Sequence, residues 1–147
     1  MKGDKKIIGI LNSLLAGELT AVDQYLIHGE MYSDMGFGRL AEKALHESEH
    51  EREHARALIQ RILFLEGLPN FQLLGKLRIG EDPCEVLGCD LALENEALAS
   101  LKRASCEAPR AFRLLLMSHP ILLWCGSLIG ALPMFILPAS HVVNQNT

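Results

Sequence analysis

The sequence predicts an all-α protein in which long helices pack antiparallel as a bundle. Apolar residues recur at helical spacing through three long stretches of the chain. Glycine and proline fall between those stretches, where the chain must turn. Each stretch also places a carboxylate inside its own apolar stripe, which is unusual because carboxylates are seldom buried without a partner.

The composition is that of a globular domain with an ordinary core. The chain has 147 residues, of which 49% are apolar, and a net charge of −4. These values exclude a disordered chain and give no reason to expect a nucleic-acid partner. The 4 cysteines form no C-x-x-C pair, which excludes a zinc ribbon and favours a reducing compartment.

The first two predicted helices cover residues 5–35 and 39–66. The first ends at a Gly-Phe-Gly turn, and the second ends at Gly67 with Pro69 just beyond it. The apolar stripe of the first helix consists of Leu11, Leu15, Val22 and Tyr25. The stripe of the second consists of Leu40, Ala44, Ala55, Leu58, Ile62 and Leu65.

The third predicted helix begins at Pro83 and ends just before Pro109. Asp82 is placed to cap it, and Glu85 follows the cap three residues later, as in a capping box. Its apolar stripe consists of Leu87, Leu91, Leu98 and Leu101. Residues 67–82 lack sustained periodicity, so we expect a connection that runs along the bundle.

One carboxylate lies inside each apolar stripe: Glu18, Glu51 and Glu94, in that order. Three acids that point into one core would repel each other unless cations neutralise them. His54 follows Glu51 by three residues, which puts an imidazole on nearly the same helix face. A Glu-x-x-His pair together with carboxylates from other helices is the ligand pattern of a di-iron helix bundle.

The charged run around Glu51 allows two further interpretations. His46, Glu47 and His50 are candidate secondary iron contacts, although a solvated helix face explains them about as well. Residues 46–50 and 50–54 also each match H-E-x-x-H, the helical zinc motif of metalloproteases. A zinc hydrolase would need a third ligand and a strand-lined cleft, and the sequence indicates neither.

Residues 1–104 resemble bacterioferritin. The resemblance rests on several segments: the opening MKGD, residues 18–25 from Glu18-Leu19 to Gln24-Tyr25, HES..E..HA at 46–55, RILFLEGLPN at 61–70, LGK at 74–76, IGED at 79–82 and DLALE at 90–94. It implies a ferritin-like antiparallel bundle whose metal ligands are Glu18, Glu51, His54 and Glu94, with Tyr25 close to the centre. Glu51 would bridge two irons, Glu18 and His54 would complete the first, and Glu94 would serve the second.

The resemblance also implies a function. Members of the family act in the cytoplasm as ferroxidases: they oxidise Fe(II) with oxygen or peroxide and deposit ferric mineral inside a multi-subunit cage, a 24-mer. We therefore expect an iron-storage and detoxification subunit that assembles with itself or with intact subunits. The alternative is a catalytically inactive cage subunit.

Two departures from the family pattern modify these expectations. Arg52 stands where the family has the haem-binding methionine, and a guanidinium cannot ligate iron, so we predict no haem in a homodimer. No acid follows Glu107, so a second Glu-x-x-His cannot form, and the second iron would have Glu94 and a share of Glu51 but lack its other bridging carboxylate and its imidazole. We therefore divide the chain into a ferritin-like portion, 1–108, and a divergent apolar tail, 109–147.

The tail has an apolar run at 121–139 that is broken by glycines and by two prolines. We favour a frameshift after about residue 104, which sequencing of the coding DNA would test. A membrane anchor and an unusual fourth bundle segment are the alternatives. No positive residue follows the run to orient an anchor, so we do not expect a membrane partner.

Overall fold

The computed structural model describes residues 2–107, and this part of the chain is an all-α bundle of three helices without strands. Helix α1 covers Lys5–Asp34, α2 covers Gly38–Phe64 and α3 covers Pro83–Glu107. The predicted fold class is confirmed for these residues. The predicted tail, 109–147, lies outside the described residues.

Helices α1 and α2 form a tight antiparallel hairpin. At the end of α1, Gly36 adopts a φ of 84°, and the N–H of Phe37 donates to the carbonyl of Tyr32 at 2.8 Å. This is a Schellman ending, which reverses the chain within a few residues. Gly29 lies at the contact between the two helices, because a Cβ there would come within 2.7 Å of the Leu45 side chain.

The second helix ends two residues before the predicted position. Glu66 takes the left-handed conformation, with a φ of 58°, and the N–H of Gly67 donates to the carbonyl of Ile62 at 2.9 Å. Gly67 does not take the left-handed conformation but packs closely against Ile8, since a Cβ at position 67 would lie 2.9 Å from the Ile8 side chain. The glycine therefore indicated the end of the helix correctly but sits one position past the left-handed residue.

The connection after α2 runs along α1, as predicted. The side chain of Asn12 donates to the carbonyl of Leu68 at 3.1 Å and accepts from the backbone N–H of Asn70 at 2.7 Å. Further along, the backbone N–H of Gly75 donates to the hydroxyl of Thr20 at 2.7 Å. Polar side chains of α1 thus satisfy backbone groups of an otherwise irregular segment.

Helix α3 begins as predicted but buries a different face. Asp82 accepts from the backbone N–H groups of Cys84 at 2.8 Å and of Glu85 at 3.0 Å, which caps the helix. Leu91 of the predicted stripe is 41% exposed, whereas Val86 and Leu93 are buried. The predicted stripe for α3 was therefore partly wrong, because the face in contact with α1 includes the polar residue Asp90.

The stripes predicted for α1 and α2 are confirmed. All four α1 residues are buried, and in α2 only Leu40 is less than fully buried. The core between the helices includes Ala21, Tyr25, Tyr32, Ala41, Ala44, Val86 and Leu93. Among residues 2–107, no helix has both the length and the apolar character needed to cross a membrane.

Candidate metal centre

The centre begins with Glu18 of α1. This residue lies on the same helix face as Leu11, Leu15 and Val22, all of which are buried. Its own side chain is 15% exposed, and its Oε2 lies 3.5 Å from Nδ1 of His54 on α2. The carboxylate of Glu18 thus extends from the apolar face of α1 to the neighbouring helix α2.

Helix α2 supplies two further groups to the same point. Glu51 and His54 are buried, at 5% and 8% exposure, and Nδ1 of His54 lies 3.0 Å from Oε2 of Glu51. Ligand atoms of Glu18, Glu51 and His54 all lie within 4.8 Å of one another. Two carboxylates and one imidazole from two helices therefore lie close enough together to share one cation.

The electrostatics of this cluster favour bound positive charge. Burial raises the pKa of Glu51 to about 7, and the nearby carboxylate of Glu18 adds to the increase. Burial by itself lowers the pKa of His54, but hydrogen bonds to Glu18 and Glu51 outweigh it and raise that pKa to about 10. Without a metal ion, Glu51 and His54 hold the protons that an incoming cation would displace.

Glu94 and Tyr25, the other two residues predicted for the site, contact each other. The Tyr25 hydroxyl donates to Oε1 of Glu94 at 2.6 Å, joining α1 to α3. Burial raises the pKa of Glu94, and the charges of Glu51 and Glu47 raise it further. Burial and the carboxylate of Glu94 likewise raise the pKa of Tyr25, so the tyrosine stays a hydrogen-bond donor. Glu94 is thus near the first cluster without being part of the compact group.

His46, Glu47 and His50 form a second group with ligand atoms within 4.8 Å. The imidazole rings of His46 and His50 are 4.0 Å apart, and Nδ1 of His50 lies 3.5 Å from Oε2 of Glu47. This group is more open to solvent than the first, since His46 is exposed. His50 lies with His46, whereas His54 lies with Glu18. The two histidines of the H-E-x-x-H motif at residues 50–54 therefore belong to different groups.

Arg52 lies between Glu51 and His54 in sequence but faces away from them. Its side chain is 52% exposed, and its Nε is 3.5 Å from Oε2 of Glu49. It therefore adds no positive charge to the buried cluster.

Three polar residues beside this cluster were not among the site residues predicted from the sequence. Gln24 and His28 on α1 are fully buried, and both contact Asp90 on α3. A signal was available, because Asp90 precedes Glu94 by four residues and so lies on the same helix face.

The donor set fits iron. Carboxylate and imidazole groups suit Fe(II), Mn(II) or Zn(II), and a buried cluster of two acids and one imidazole requires a cation to neutralise it when the acids are ionised. The bundle arrangement, with inward-facing acids and a Glu-x-x-His pair, is that of carboxylate-bridged di-iron proteins.

Comparison with known proteins identifies the class. The family model for the ferritin-like domain matches residues 8–108, and the chain belongs to this family. It is 51% identical to a bacterioferritin of Rhodobacter capsulatus over 104 residues, which is 71% of this chain and 65% of that protein. It is 45% identical to a bacterioferritin of Mycobacterium leprae over 102 residues, 69% of this chain and 64% of the relative.

A protein of Paramagnetospirillum magnetotacticum called bacterial ferritin is also similar, with 46% identity over 112 residues, 75% of this chain and 68% of the relative. The resemblance to bacterioferritin inferred from the sequence is thereby confirmed. The match to the two bacterioferritins spans just under two thirds of their length.

Proposed function

We propose that the chain binds Fe(II) as a substrate and acts as a ferroxidase in iron storage. The observation that carries this proposal is the convergence of Glu18, Glu51 and His54 within 4.8 Å in the bundle interior. The ferritin-like family and the similarity to bacterioferritins support the same conclusion.

Each residue has a separate role in the proposed reaction. Glu18 and His54 hold the first Fe(II), Glu51 bridges to a second, and Glu94 serves that second ion. Tyr25 positions Glu94 through its hydrogen bond. Each Fe(II) loses one electron to oxygen or peroxide, and the residues supply geometry and charge neutralisation for the ferric product.

The proposed setting is a cytoplasmic, multi-subunit cage, a 24-mer in the bacterioferritin family, in which the ferric product is deposited as mineral. His46, Glu47 and His50 are proposed as secondary iron contacts, because their ligand atoms also converge. We propose that a homodimer of this chain holds no haem, because Arg52 occupies the ligand position.

A catalytically inactive cage subunit is the second candidate. It is favoured by the sequence after Glu107, which contains no acid and so no second Glu-x-x-His. The first site would then bind an ion without completing a two-iron reaction.

Stopped-flow mixing of Fe(II) with oxygen distinguishes the two functions. We expect oxidation by the purified chain to exceed the rate in buffer, and Glu18→Ala and His54→Ala to abolish the excess. Identical rates in both variants and the original chain would support the inactive subunit. A chain with a restored fourth-helix Glu-x-x-His, measured in parallel, shows whether the missing ligands limit the rate.

A further inference from the structure

A buried polar cluster lies one helical turn from Glu94. Oδ1 of Asp90 on α3 lies 2.7 Å from Nδ1 of His28 and accepts from Nε2 of Gln24 at 3.0 Å. Gln24 and His28 are both fully buried on α1, and the Asp90 side chain is 13% exposed. One carboxylate oxygen thus joins two buried side chains of the opposite helix.

The same cluster reaches the connection between α2 and α3. Oε1 of Gln24 accepts from the backbone N–H of Arg78 at 3.1 Å. Gln24 therefore uses its amide nitrogen for α3 and its amide oxygen for the connection. Three segments of the chain are tied together at this point, which fixes the position of α3 along α1.

The cluster and Glu94 are on one face of α3. Asp90 and Glu94 are four residues apart, and Gln24 directly precedes Tyr25, the residue that donates to Glu94 at 2.6 Å. Helix α3 is therefore held to α1 at two successive turns. In this register of α3 against α1, the Tyr25 hydroxyl reaches the Glu94 carboxylate.

The chemistry of His28 supports a specific role for its bond to Asp90. Nε2 of His28 is buried and has no hydrogen-bond partner among residues 2–107. An unpaired buried nitrogen is costly, and an apolar side chain would fill the space without that cost. The contribution of His28 at this position is therefore the hydrogen bond that its Nδ1 makes with Asp90.

We propose that Asp90 is a positioning residue for the metal centre, and that it acts with Gln24 and His28 to place Glu94. This inference rests on the proposed function, in which Glu94 serves the second ion. The cluster sets the affinity of the ion at Glu94 and leaves the ion at Glu18, Glu51 and His54 unaffected. It does so by orienting a ligand, as outer-shell hydrogen bonds do in other metal sites.

Anaerobic titration of the full chain with Co(II), followed by visible absorption, tests the inference. Asp90→Leu removes the acceptor, and Asp90→Asn is the matched control because its Oδ1 still accepts hydrogen bonds. We expect Asp90→Leu to weaken binding of the Co(II) ion that depends on Glu94 by about 10- to 100-fold. The Kd of the other ion should stay the same. Asp90→Asn should bind both ions nearly as the original chain does.

A double-mutant cycle separates positioning from general damage to the fold. In a Glu94→Ala background, Asp90→Leu should have no further effect on Co(II) binding. If Asp90→Leu does not fold, His28→Leu provides the second test, because leucine fills the buried volume with an apolar side chain and removes one donor to Asp90. His28→Leu should weaken binding of the same Co(II) ion by the same mechanism.

Three results would overturn the inference. The first is an unchanged Co(II) affinity in Asp90→Leu and His28→Leu, and the second is an equal loss of affinity for both ions. The third is an effect of Asp90→Leu on Co(II) binding that persists in the Glu94→Ala background. A different result would overturn the proposed function, namely Co(II) binding that Glu18→Ala and His54→Ala leave unchanged. The two failures are therefore distinguishable in one set of titrations.

Discussion

Metal binding to Glu18, Glu51 and His54 should release protons, and the number released should fall as the pH rises. His54 has a pKa of about 10 and Glu51 a pKa of about 7 in the ion-free protein. Both must lose their protons before their ligand atoms can bind a cation. Affinity should therefore increase with pH.

The magnitude follows from the two pKa values. At pH 6 His54 is fully protonated and Glu51 mostly so, which gives a release of about 1.9 protons per ion. At pH 8 Glu51 is largely ionised and the release falls to about 1.1 protons. The slope of the logarithm of the binding constant against pH should fall from about 2 to about 1 over this range.

Calorimetric titration with Co(II), repeated in buffers of different ionisation enthalpy, counts these protons directly. His54→Ala should remove about one proton from the release at pH 6 in whatever binding remains, and less than that at pH 8, because loss of His54 lets the pKa of Glu51 rise. A binding constant that does not change between pH 6 and pH 8, or a proton count near zero, would refute this description of the site.

Three further predictions concern stability, each measured as urea-induced unfolding. Ile62→Ala should cost about 2–5 kcal/mol, because Ile62 is 0% exposed in the core, and a loss below about 0.5 kcal/mol would contradict its place there. Asp82→Ala should lower the free energy of unfolding by about 1 kcal/mol through loss of the α3 cap, whereas Asp82→Asn should retain most of the stabilisation that the cap gives. Burial raises the pKa of Glu51 from its ordinary value of 4.5 to about 7, so the ion-free protein loses stability as the pH rises through this range. Glu51→Gln should lose less stability over the same interval, and an identical pH dependence in the two proteins would exclude Glu51 as the cause.

The long helices were predictable because their apolar periodicity continues over many turns. The ends were less predictable, since they depend on single backbone conformations. Glu66, and not Gly67, takes the left-handed position after α2, and Gly67 lies where Ile8 approaches the backbone. Sequence pattern identifies the residues of a turn more readily than it assigns a role to each.

The buried face of α3 was misplaced for a related reason. Asp90 lies in the middle of the face that contacts α1, so apolar periodicity shifted the predicted stripe to one side of it, toward Leu91. The buried positions Val86 and Leu93 flank Asp90. A polar cluster that is satisfied across helices cannot be recognised from the hydrophobicity of one helix alone.

The proximity of Glu51 and His54 was predictable because these residues are three apart on one helix. Glu51 and His54 share a face by helical geometry, and Glu18 is inside the stripe that packs against them. The hydrogen bond from Tyr25 to Glu94 was not predictable by spacing, because it depends on the register of α3 against α1. That register is what the Asp90 cluster is proposed to set.

Anaerobic Fe(II) binding to the full chain, measured by equilibrium dialysis, is the most direct test of the proposed metal centre. Glu18→Ala and His54→Ala are compared with Glu49→Ala, because Glu49 is an exposed acid on α2 whose Oε2 lies 3.5 Å from Nε of Arg52. We predict a tightly bound ion that both cluster variants lose and Glu49→Ala retains. Equal Fe(II) binding by all four proteins would contradict the assignment of this cluster as the metal centre.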